Sequence, residues 1–470
     1  MLFLIGLARG VTSATPQQQE FADTFRQASL PVPTFFQGER EPAAHWQRSR
    51  EITFARSTRP FFDWYYIYVR DVKEKRAWAW TYAMSRCGRQ KDGAKSSDGC
   101  KYEGAWPGFV TMEPGQAAQS YMERHGLKAW TASGATQSAQ ILSSGGTTNA
   151  TIEGDGGNGS VVRLSGVLGT GSAAWRNEGG LGDSPISWDL RVSRRAGWFG
   201  ESWIEQPFEL GEKTGAIMWS PYGHMSTVEG HVTVRGRTFR LGGDKGRFRA
   251  YCDSNWGSAM PQPPPGGNPI DYPWGWYYAA RPSVDPELDV SIICGVGRTW
   301  LGELTGSLYG KLCDLRIGSA LRLSLWSWSF DRLGGKTASW ASDSTSDSSG
   351  LQGVESFEIV RDNWTDWTDA YGAARVPMAQ RLTITTRQHV ISLAFRATRN
   401  ATSRLVFPLE NDLFSDFEAL GAHATVEVRE RAGDRAGRVV TSFVDDMGGL
   451  EFGYRVGTRG AESSLAERLA

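Results

Sequence analysis

The stretch Tyr251-Cys252-Asp253-Ser254-Asn255-Trp256-Gly257 sets one carboxylate among aromatic and polar side chains, midway along a chain of 470 residues. A dense aromatic run, Trp274-Gly275-Trp276-Tyr277-Tyr278, follows after a proline-rich loop. Desolvation by such rings raises the pKa of a carboxyl group, and a neutral carboxylic acid near pH 7 can donate a proton. Two interpretations follow. Asp253 is an active-site acid, or it accepts hydrogen bonds from nearby amides in a turn to which Asn255 and Gly257 give backbone freedom.

Three matches connect this stretch to a known family. Tyr-x-Asp-x-Asn-Trp-Gly at 251–257 resembles the motif of a lipocalin-like superfamily of tocopherol cyclases, carotenoid 1,2-hydratases (hydroxyneurosporene synthases) and fungal decalin-forming Diels-Alderases. Phe62-Asp63-Trp64-Tyr65-Tyr66 resembles the Phe-Glu-Trp-Trp-Tyr block of the hydratase-like branch. Trp276-Tyr277-Tyr278, followed by Gly295-Val296-Gly297-Arg298, is spaced much as in tocopherol cyclases. The resemblance extends in patches over residues 59–325, and we favour the tocopherol cyclase-like branch.

Alternation of apolar and polar residues predicts an all-β fold with a few short helices. The segment Ala77–Tyr82 alternates, and together with Trp64–Val69 it predicts an antiparallel hairpin. The segment Val228–Val234 alternates as well, which places His231 on the outer face of a strand. After Leu325 the alternation changes parity, which predicts a bulge or a strand buried on both faces.

Strands at short spacing, with few helices between them, predict two antiparallel β-barrel or β-sandwich domains, which the resemblance makes lipocalin-like. We divide the chain into a leader with a short helix (1–44), a first β domain (45–258) and a second β domain (259–460). The leader helix would begin at the capping box Thr15-Pro16-Gln17-Gln18. A second helix is predicted over Pro408–Leu420, ended by Gly421, and Gly448–Tyr454 would form a closing strand.

Composition limits the classes of partner. Lys+Arg and Asp+Glu both total 51, so neither nucleic acid nor an acidic membrane is indicated as the main partner. The 20 Trp, 21 Phe and 14 Tyr suit both core packing and an apolar ligand pocket. No stretch reaches about 20 apolar residues, so a spanning helix is not predicted, although peripheral membrane contact remains compatible. The short apolar run before Ala8 leaves plastid, secretory and cytosolic locations open, and the oligomeric state is open too.

None of the motifs in the sequence predicts a bound cofactor or metal. The glycine-rich stretch 144–183 lacks a following Gly-Lys-Ser/Thr, and Gly295-Val296-Gly297 lacks the third glycine of a dinucleotide fingerprint. The chain has no Gly-x-Ser-x-Gly and no His-Glu-x-x-His. Its five cysteines show no metal-ligand spacing, and a Cys87–Cys100 bridge and free thiols are both left open.

The resemblance implies roles for particular residues. Asp253 would be the general acid, and His224 would position or re-protonate it, although a loop histidine is also often structural. Asp63 would face the same cavity as the rings, or else cap the start of its strand. The residues expected to bind substrate are Tyr251, Asn255, Trp256, Trp274, Trp276, Tyr278, Asp63, Trp64 and Tyr66.

The function implied by the resemblance is acid-catalysed cyclisation of a prenylated substrate without a cofactor. In that chemistry an acid protonates a prenyl double bond and a phenol oxygen closes on the tertiary cation, which tryptophan ring faces stabilise. A related hydratase or a Diels-Alderase-like pericyclase is the first alternative. The others are a lipocalin-like binder of apolar ligands without catalysis, and a tryptophan-rich carbohydrate-binding sandwich with an open aromatic platform.

Overall fold

Alternating side chains build this protein from long antiparallel strands in two sheets, which confirms the predicted all-β class. The computed structural model describes residues 61–87, 103–133, 138–143, 148–154, 161–169, 174–176, 185–193, 217–243, 246–257, 263–285, 288–300, 306–318, 321–330, 337–343, 354–369, 372–409 and 412–456. The helix predicted at Thr15 and much of the glycine-rich stretch lie outside these residues. None of the helices in the described part of the chain is long and apolar enough to cross a bilayer.

The first sheet contains thirteen strands. They are β1 (Phe61–Asp71), β2 (Arg76–Arg86), β3 (Gly104–Met112), β4 (Gln119–Glu123), β5 (Trp130–Ser133), β6 (Ser138–Leu142), β7 (Asn149–Gly154), β8 (Val161–Leu168), β9 (Ala174–Arg176), β10 (Ile186–Ser193), β11 (Ile217–Val234), β12 (Arg237–Leu241) and β13 (Phe248–Gly257). They follow the order β5-β6-β7-β8-β10-β11-β13-β1-β2-β3-β4-β9, with β12 paired to β11.

The second sheet contains eleven strands. They are β14 (Trp274–Arg281), β15 (Val290–Trp300), β16 (Ser307–Ile317), β17 (Leu321–Phe330), β18 (Thr337–Asp343), β19 (Val354–Asp369), β20 (Gly372–Thr386), β21 (His389–Arg396), β22 (Thr402–Leu409), β23 (Asp412–Glu430) and β24 (Val439–Val456). Their order is β18-β17-β16-β15-β14-β24-β23-β21-β20-β19, with β22 paired to β23. The described 3-10 helices are Leu127–Ala129, Pro269–Asp271, Arg399–Ala401 and Gly433–Arg435.

Each sheet encloses its own apolar core, and a third cluster joins the two. Trp78, Trp80 and Tyr82 are buried in the first core, as their alternation predicts. The third cluster contains Tyr68 and Tyr251 from the first sheet and packs them against residues of β14, β15, β23 and β24. Side chains of the two sheets therefore meet at a buried domain junction, which positions the site described below.

Hydrogen bonds and one buried ion pair fix the junction. Tyr68 donates to the carbonyl oxygens of Leu420 (2.6 Å) and Met447 (2.7 Å) in the second sheet. Arg70 pairs with Asp445 at 2.6 Å, and the side chains of both residues are almost fully buried. Because these groups have no access to water, the two domains are held in one relative orientation.

The structure corrects several predictions. Pro408–Leu420 is not a helix but belongs to the hairpin of β22 and β23, where residues 414–420 are buried on both faces. The loop expected before Val228 is also strand, because β11 runs unbroken from Ile217 and is only irregular between Pro221 and Ser226. Of the two alternatives for the change of parity after Leu325, the bulge is excluded, since β17 pairs with β16 in continuous register.

The cysteines divide into paired and free thiols within the described residues. Cys294 and Cys313 lie opposite each other on β15 and β16 and form a disulfide. Cys87 is disulfide-bonded as well, while Cys100 lies outside the described residues. Cys252 is a buried free thiol.

Candidate functional site

The motif Tyr251–Gly257 is a strand rather than a turn, and strand geometry decides which of its side chains meet. Successive side chains of a strand point to opposite faces, so Tyr251, Asp253 and Asn255 share one face of β13. In the register of β13 with β1, Tyr66 lies opposite Asp253 and Trp64 lies opposite Asn255. Directly opposite residues share a face, so two motifs far apart in sequence converge at the domain junction.

Asp253 is buried and surrounded by neutral donors. Its Oδ2 atom accepts hydrogen bonds from the Tyr251 hydroxyl at 2.6 Å and from Trp219 Nε1 at 2.9 Å. Its Oδ1 atom accepts from Asn255 Nδ2 at 3.0 Å. Burial raises the pKa of Asp253 to about 7, because these donors only partly offset the loss of solvation. The geometry therefore produces a carboxyl group that is protonated in a large fraction of molecules at neutral pH.

Aromatic rings of both domains enclose this carboxyl group. The ring of Tyr251 lies 5.0 Å from that of Trp276 and 5.3 Å from that of Tyr278, measured between centroids. Tyr66 packs edge-on to Trp276 at 5.7 Å. Trp274 joins Phe62 and Phe414 in a smaller cluster at the same junction, with Trp64 against it.

Two glycines on β24 allow the tryptophans of β14 to lie flat. A Cβ atom on Gly449 would lie 2.1 Å from the ring of Trp276, and one on Gly453 would lie 2.0 Å from the ring of Trp274. Real Cβ atoms do not approach other atoms so closely. Between these glycines stands Glu451, whose carboxylate accepts a hydrogen bond from Trp274 Nε1.

The second domain contributes a set of carboxyl groups to the junction. Glu418 on β23 lies directly opposite Glu451 on β24, and Asp416 lies two residues before Glu418 on the same face. Like charges in this arrangement repel, so protonated forms are favoured. Burial raises the pKa of Glu418 to about 7, and burial together with the charge of Glu418 raises that of Glu451 to about 8. Burial, Glu451 and Glu418 also hold the pKa of Asp416 well above its usual range.

Tyr66 links the two acidic groups. Its hydroxyl donates to Glu418 Oε1, and on β1 it stands opposite Asp253. The Coulombic effect of Asp253 contributes to the raised pKa values of both Glu418 and Glu451. Asp253 and the carboxyl groups of the second domain therefore form one electrostatically coupled set.

Sequence reasoning missed Asp416, Glu418 and Glu451. The first two fall in the segment that was predicted to be a helix, where apolar residues recur about every third position. Glu451 lies in the predicted closing strand, and the alternation Gly449, Glu451, Gly453 was the available signal. A carboxylate between two glycines on one face indicates a strand that receives large side chains from its neighbour.

His224 is buried beside Tyr251, whose hydroxyl donates to Asp253. Its ring centroid lies 6.3 Å from that of Tyr251, and its Nε2 atom lies 4.0 Å from Asp314 Oδ2. Its backbone carbonyl oxygen accepts a hydrogen bond from the Tyr278 hydroxyl. The donors to Asp253 include Trp219, Tyr251 and Asn255, and His224 packs near the ring of Tyr251.

Asp63 and Trp256 are placed differently from the other expected substrate-binding residues. Asp63 is buried, but the alternation of β1 puts it on the opposite face from Trp64 and Tyr66, so the structure does not bring it together with Asp253. The backbone of Trp256 is paired in β13, while its side chain lies outside what the structure describes. Among the described residues, no group of three or more His, Cys, Asp or Glu side chains is placed to hold a metal ion.

Comparison with known proteins gives weak likenesses only. No family model and no curated protein matches the chain. Among solved structures, CghA is similar with 9% identity and a TM-score of 0.45, over 86% of this chain and 90% of that one. CghA with Sch210972 gives 10% identity and a TM-score of 0.43, over 85% and 89%. Kievitone hydratase from Nectria haematococca gives 12% identity and a TM-score of 0.43, over 84% and 89%.

Likeness at these levels carries no argument about activity. None of these three structures is a tocopherol cyclase, so the branch favoured from the motifs remains a matter for proposal. The side chains at the domain junction are what bears on the activity of this chain.

Proposed function

We propose that this chain is an enzyme that protonates an apolar isoprenoid or polyene substrate at its domain junction, in a tocopherol cyclase-like cyclisation. The observation that carries the proposal is the environment of Asp253, a buried carboxyl group held by three neutral donors and with a pKa raised to about 7. A general acid works best when its pKa lies near the working pH, because it is then both protonated and able to release its proton.

The residues of the junction supply each step of such a cyclisation. Asp253 transfers its proton to one carbon of a prenyl double bond, which leaves a tertiary cation on the other. A phenol oxygen of the same molecule bonds to that cation, and the phenolic proton passes to the carboxylate of Glu418. Return of that proton to Asp253 through the coupled set restores the enzyme, so the substrate is isomerised without any cofactor.

The rings at the junction would stabilise the cation. Trp276 packs against Tyr251, whose hydroxyl donates to Asp253, and a ring face attracts positive charge by roughly 0.5 to 2 kcal/mol. Trp274 would extend the apolar wall. His224 would act as a positioning residue, because it packs against Tyr251, whose hydroxyl holds Asp253.

Hydration is the second candidate, and Glu418 favours it. Its Oε2 atom is buried and accepts no hydrogen bond from any side chain or backbone group that the structure describes. A carboxylate oxygen in that state can take a proton from a water molecule as the water attacks the cation. Product analysis separates the two reactions, because the hydrated product is heavier than the substrate by one water.

The test is Asp253→Asn, which keeps the size and polarity of the side chain but has no proton to donate. We expect turnover of a prenylated quinol or a polyene to fall about 10²- to 10⁴-fold, with little change in ligand affinity, since the ring walls are untouched. Asp362→Asn is the matched control, because Asp362 is a half-exposed carboxylate paired with Arg381 far along the second sheet.

The outcome distinguishes an enzyme from a non-catalytic binding protein. Near-wild-type turnover in a well-folded Asp253→Asn protein would exclude both the cyclase and the hydratase, and would leave a pericyclase that works by shape. Binding without any product, in wild type and variant alike, would identify a non-catalytic binder. Tryptophan fluorescence that responds to oligosaccharides rather than to prenylated ligands would favour the carbohydrate-binding alternative.

A further inference from the structure

A second cavity lies in the second domain, away from the coupled carboxyl groups. It has a volume of about 1330 Å³, above the roughly 300–1,000 Å³ typical of small-molecule sites. Tyr454 and the segment Asn268–Pro273 form part of its wall. Tyr454 packs with Phe452 on one face of β24, whereas Glu451 and Gly453 occupy the other face, toward the domain junction. The cavity therefore belongs to a different surface from the site of Asp253.

The lining of this cavity is strongly basic. Among the described residues that line it, two are aspartates, Asp271 and Asp366, and five are arginines. Arg404 is already neutralised, because it pairs with buried Asp369 at 2.7 Å. The remaining arginines still outnumber the aspartates. The arginines are Arg298, Arg361, Arg375, Arg404 and Arg455.

Arg361 marks the point where an acceptor is missing. Its Nε atom donates to Gln380 Oε1 at 3.2 Å, and the same oxygen accepts the Tyr277 hydroxyl at 2.7 Å. Since arginine can only donate, this contact also fixes the orientation of the Gln380 amide. Arg361 Nη2 and Gln380 Nε2 are buried, and within the described residues neither has an acceptor in good hydrogen-bond geometry, although the hydroxyls of Tyr277 and Tyr309 interact with the guanidinium group. Buried donors are almost always satisfied, so two adjacent unsatisfied donors indicate an acceptor that the protein itself does not provide.

A neighbouring lysine adds to the positive field. Lys311 donates to the carbonyl oxygen of Phe357 and lies over the rings of Tyr309 (4.6 Å) and Phe357 (5.5 Å). Burial lowers the pKa of Lys311, Glu358 opposes this shift, and the charge of Arg361 adds to it. Two cations close enough to repel each other are stabilised when an anion binds between or beside them.

Aromatic rings hold the outer guanidinium groups. Arg298 lies 4.6 Å from the ring centroid of Tyr272, and Arg375 lies 5.9 Å from that of Trp364. A guanidinium group stacked on a ring can still donate from its N–H edges, and Arg298 does so from Nη1 to the carbonyl oxygen of Asp271 at 3.3 Å. The same rings, together with Ile359, provide apolar surface for the rest of a ligand.

We propose that this cavity binds a small organic anion, in which a carboxylate or phosphate group bonds to Arg361 and an apolar body packs on Trp364 and Tyr272. The carboxylate or phosphate oxygens complete the hydrogen bonds of Arg361 Nη2 and, through the same ligand, of the Gln380 amide. This assignment is independent of the reaction at Asp253.

Calorimetric titration of the full chain tests it with matched probes: 2-naphthoate, 2-naphthyl phosphate, inorganic phosphate and the neutral 2-naphthamide. We expect at least one naphthyl anion to bind at least tenfold more tightly than the amide, and the tighter of the two identifies the acidic group. Arg361→Met should weaken that binding about ten- to a hundredfold, as expected for loss of charge-assisted hydrogen bonds. Arg381→Met is the control, because Arg381 lies on neighbouring β20 and pairs with Asp362 at the surface.

Equal affinity for the anions and the amide, or an unchanged Kd in folded Arg361→Met, would overturn the proposal. Tighter binding of inorganic phosphate than of either naphthyl anion would overturn the role of the rings. If circular dichroism shows that Arg361→Met does not fold, Arg375→Met and Trp364→Ala replace it, since both residues are exposed. Each should weaken binding severalfold, and wild-type affinity in both would refute the site.

Discussion

Asp253 differs from an ordinary buried aspartate in the kind of partner it has. Within the described residues no cation lies within salt-bridge distance of it, and its donors are a phenol, an indole and an amide. A cation would have lowered the pKa below its usual value, whereas neutral donors leave desolvation dominant. This environment is the one that the proposed role of Asp253 as a proton donor requires.

The pH dependence of turnover follows from that raised pKa. Only the protonated form of Asp253 can donate, and its fraction falls tenfold for each unit of pH well above the pKa of about 7. We expect turnover to decline on the acid side of neutrality, as Glu418 becomes protonated, and to decline on the alkaline side, as Asp253 loses its proton. Rate profiles of wild type and Asp253→Asn check this, since the residual rate of the variant should lose the alkaline limb. A wild-type rate that rises through pH 7 to 9 would contradict it.

Glu418 is expected to matter for turnover through its charge. Glu418→Gln keeps the contact with Tyr66 but cannot accept a proton, so turnover should fall about 10²-fold or more while the protein stays folded. Glu427→Gln is the control, because Glu427 is an exposed residue of the same strand, paired with Arg429. Equal activity in the two variants would remove Glu418 from the mechanism.

At the scale of elements, β14 and β24 determine the shape of the junction. The two tryptophans of β14 lie against glycines of β24, so a single methyl group on that strand displaces a whole ring. Because Gly449 and Gly453 have no side chains, β24 leaves the space that the rings of Trp276 and Trp274 occupy.

Gly453→Ala should consequently disturb both stability and activity. The new Cβ atom would meet Trp274 at 2.0 Å, and overpacking of this kind typically costs about 1–3 kcal/mol. Gly126→Ala is the control, because a Cβ atom there would meet nothing within 4 Å and the backbone is not left-handed. Urea unfolding measures the difference in stability. Equal midpoints for the two variants would show that the Trp274 ring moves aside without a measurable loss of stability.

The sequence predicted the elements that alternate and failed where alternation is lost. Trp78, Trp80 and Tyr82 face one core, so their strand is readable from the period of two. Residues 414–420 are buried on both faces, and a strand in that environment keeps no polar side to reveal its period. Glu418 was therefore hidden in an apparent helix, while the Asp253 half of the site was found from its motif.

At the scale of the whole molecule, the Arg70–Asp445 pair ties the two sheets together. Breaking a buried ion pair by removing one partner typically costs about 3–5 kcal/mol, because the remaining charge stays buried. Asp445→Asn should lose stability by this amount, measured by urea unfolding. Asp446→Asn is the control, since its pair with Lys75 also joins the two sheets but is exposed, and such pairs contribute about 0–1 kcal/mol. Similar losses of stability in both variants would mean that water reaches the Arg70–Asp445 pair.

The position of β24 in the chain has a consequence for synthesis. This strand supplies Asp445, Glu451 and the Met447 carbonyl oxygen to the junction, yet it is translated after every other strand described. Domains fold as they leave the ribosome, N-terminal first, at about 5–20 residues per second. During that interval β14 and β23 can cover part of the face that carries Tyr66, Tyr68 and Arg70, and the part that β24 covers has no partner. Until β24 is made, the contacts of Tyr68 with Met447 and of Arg70 with Asp445 cannot form, so the two sheets dock fully only when the last described strand is in place.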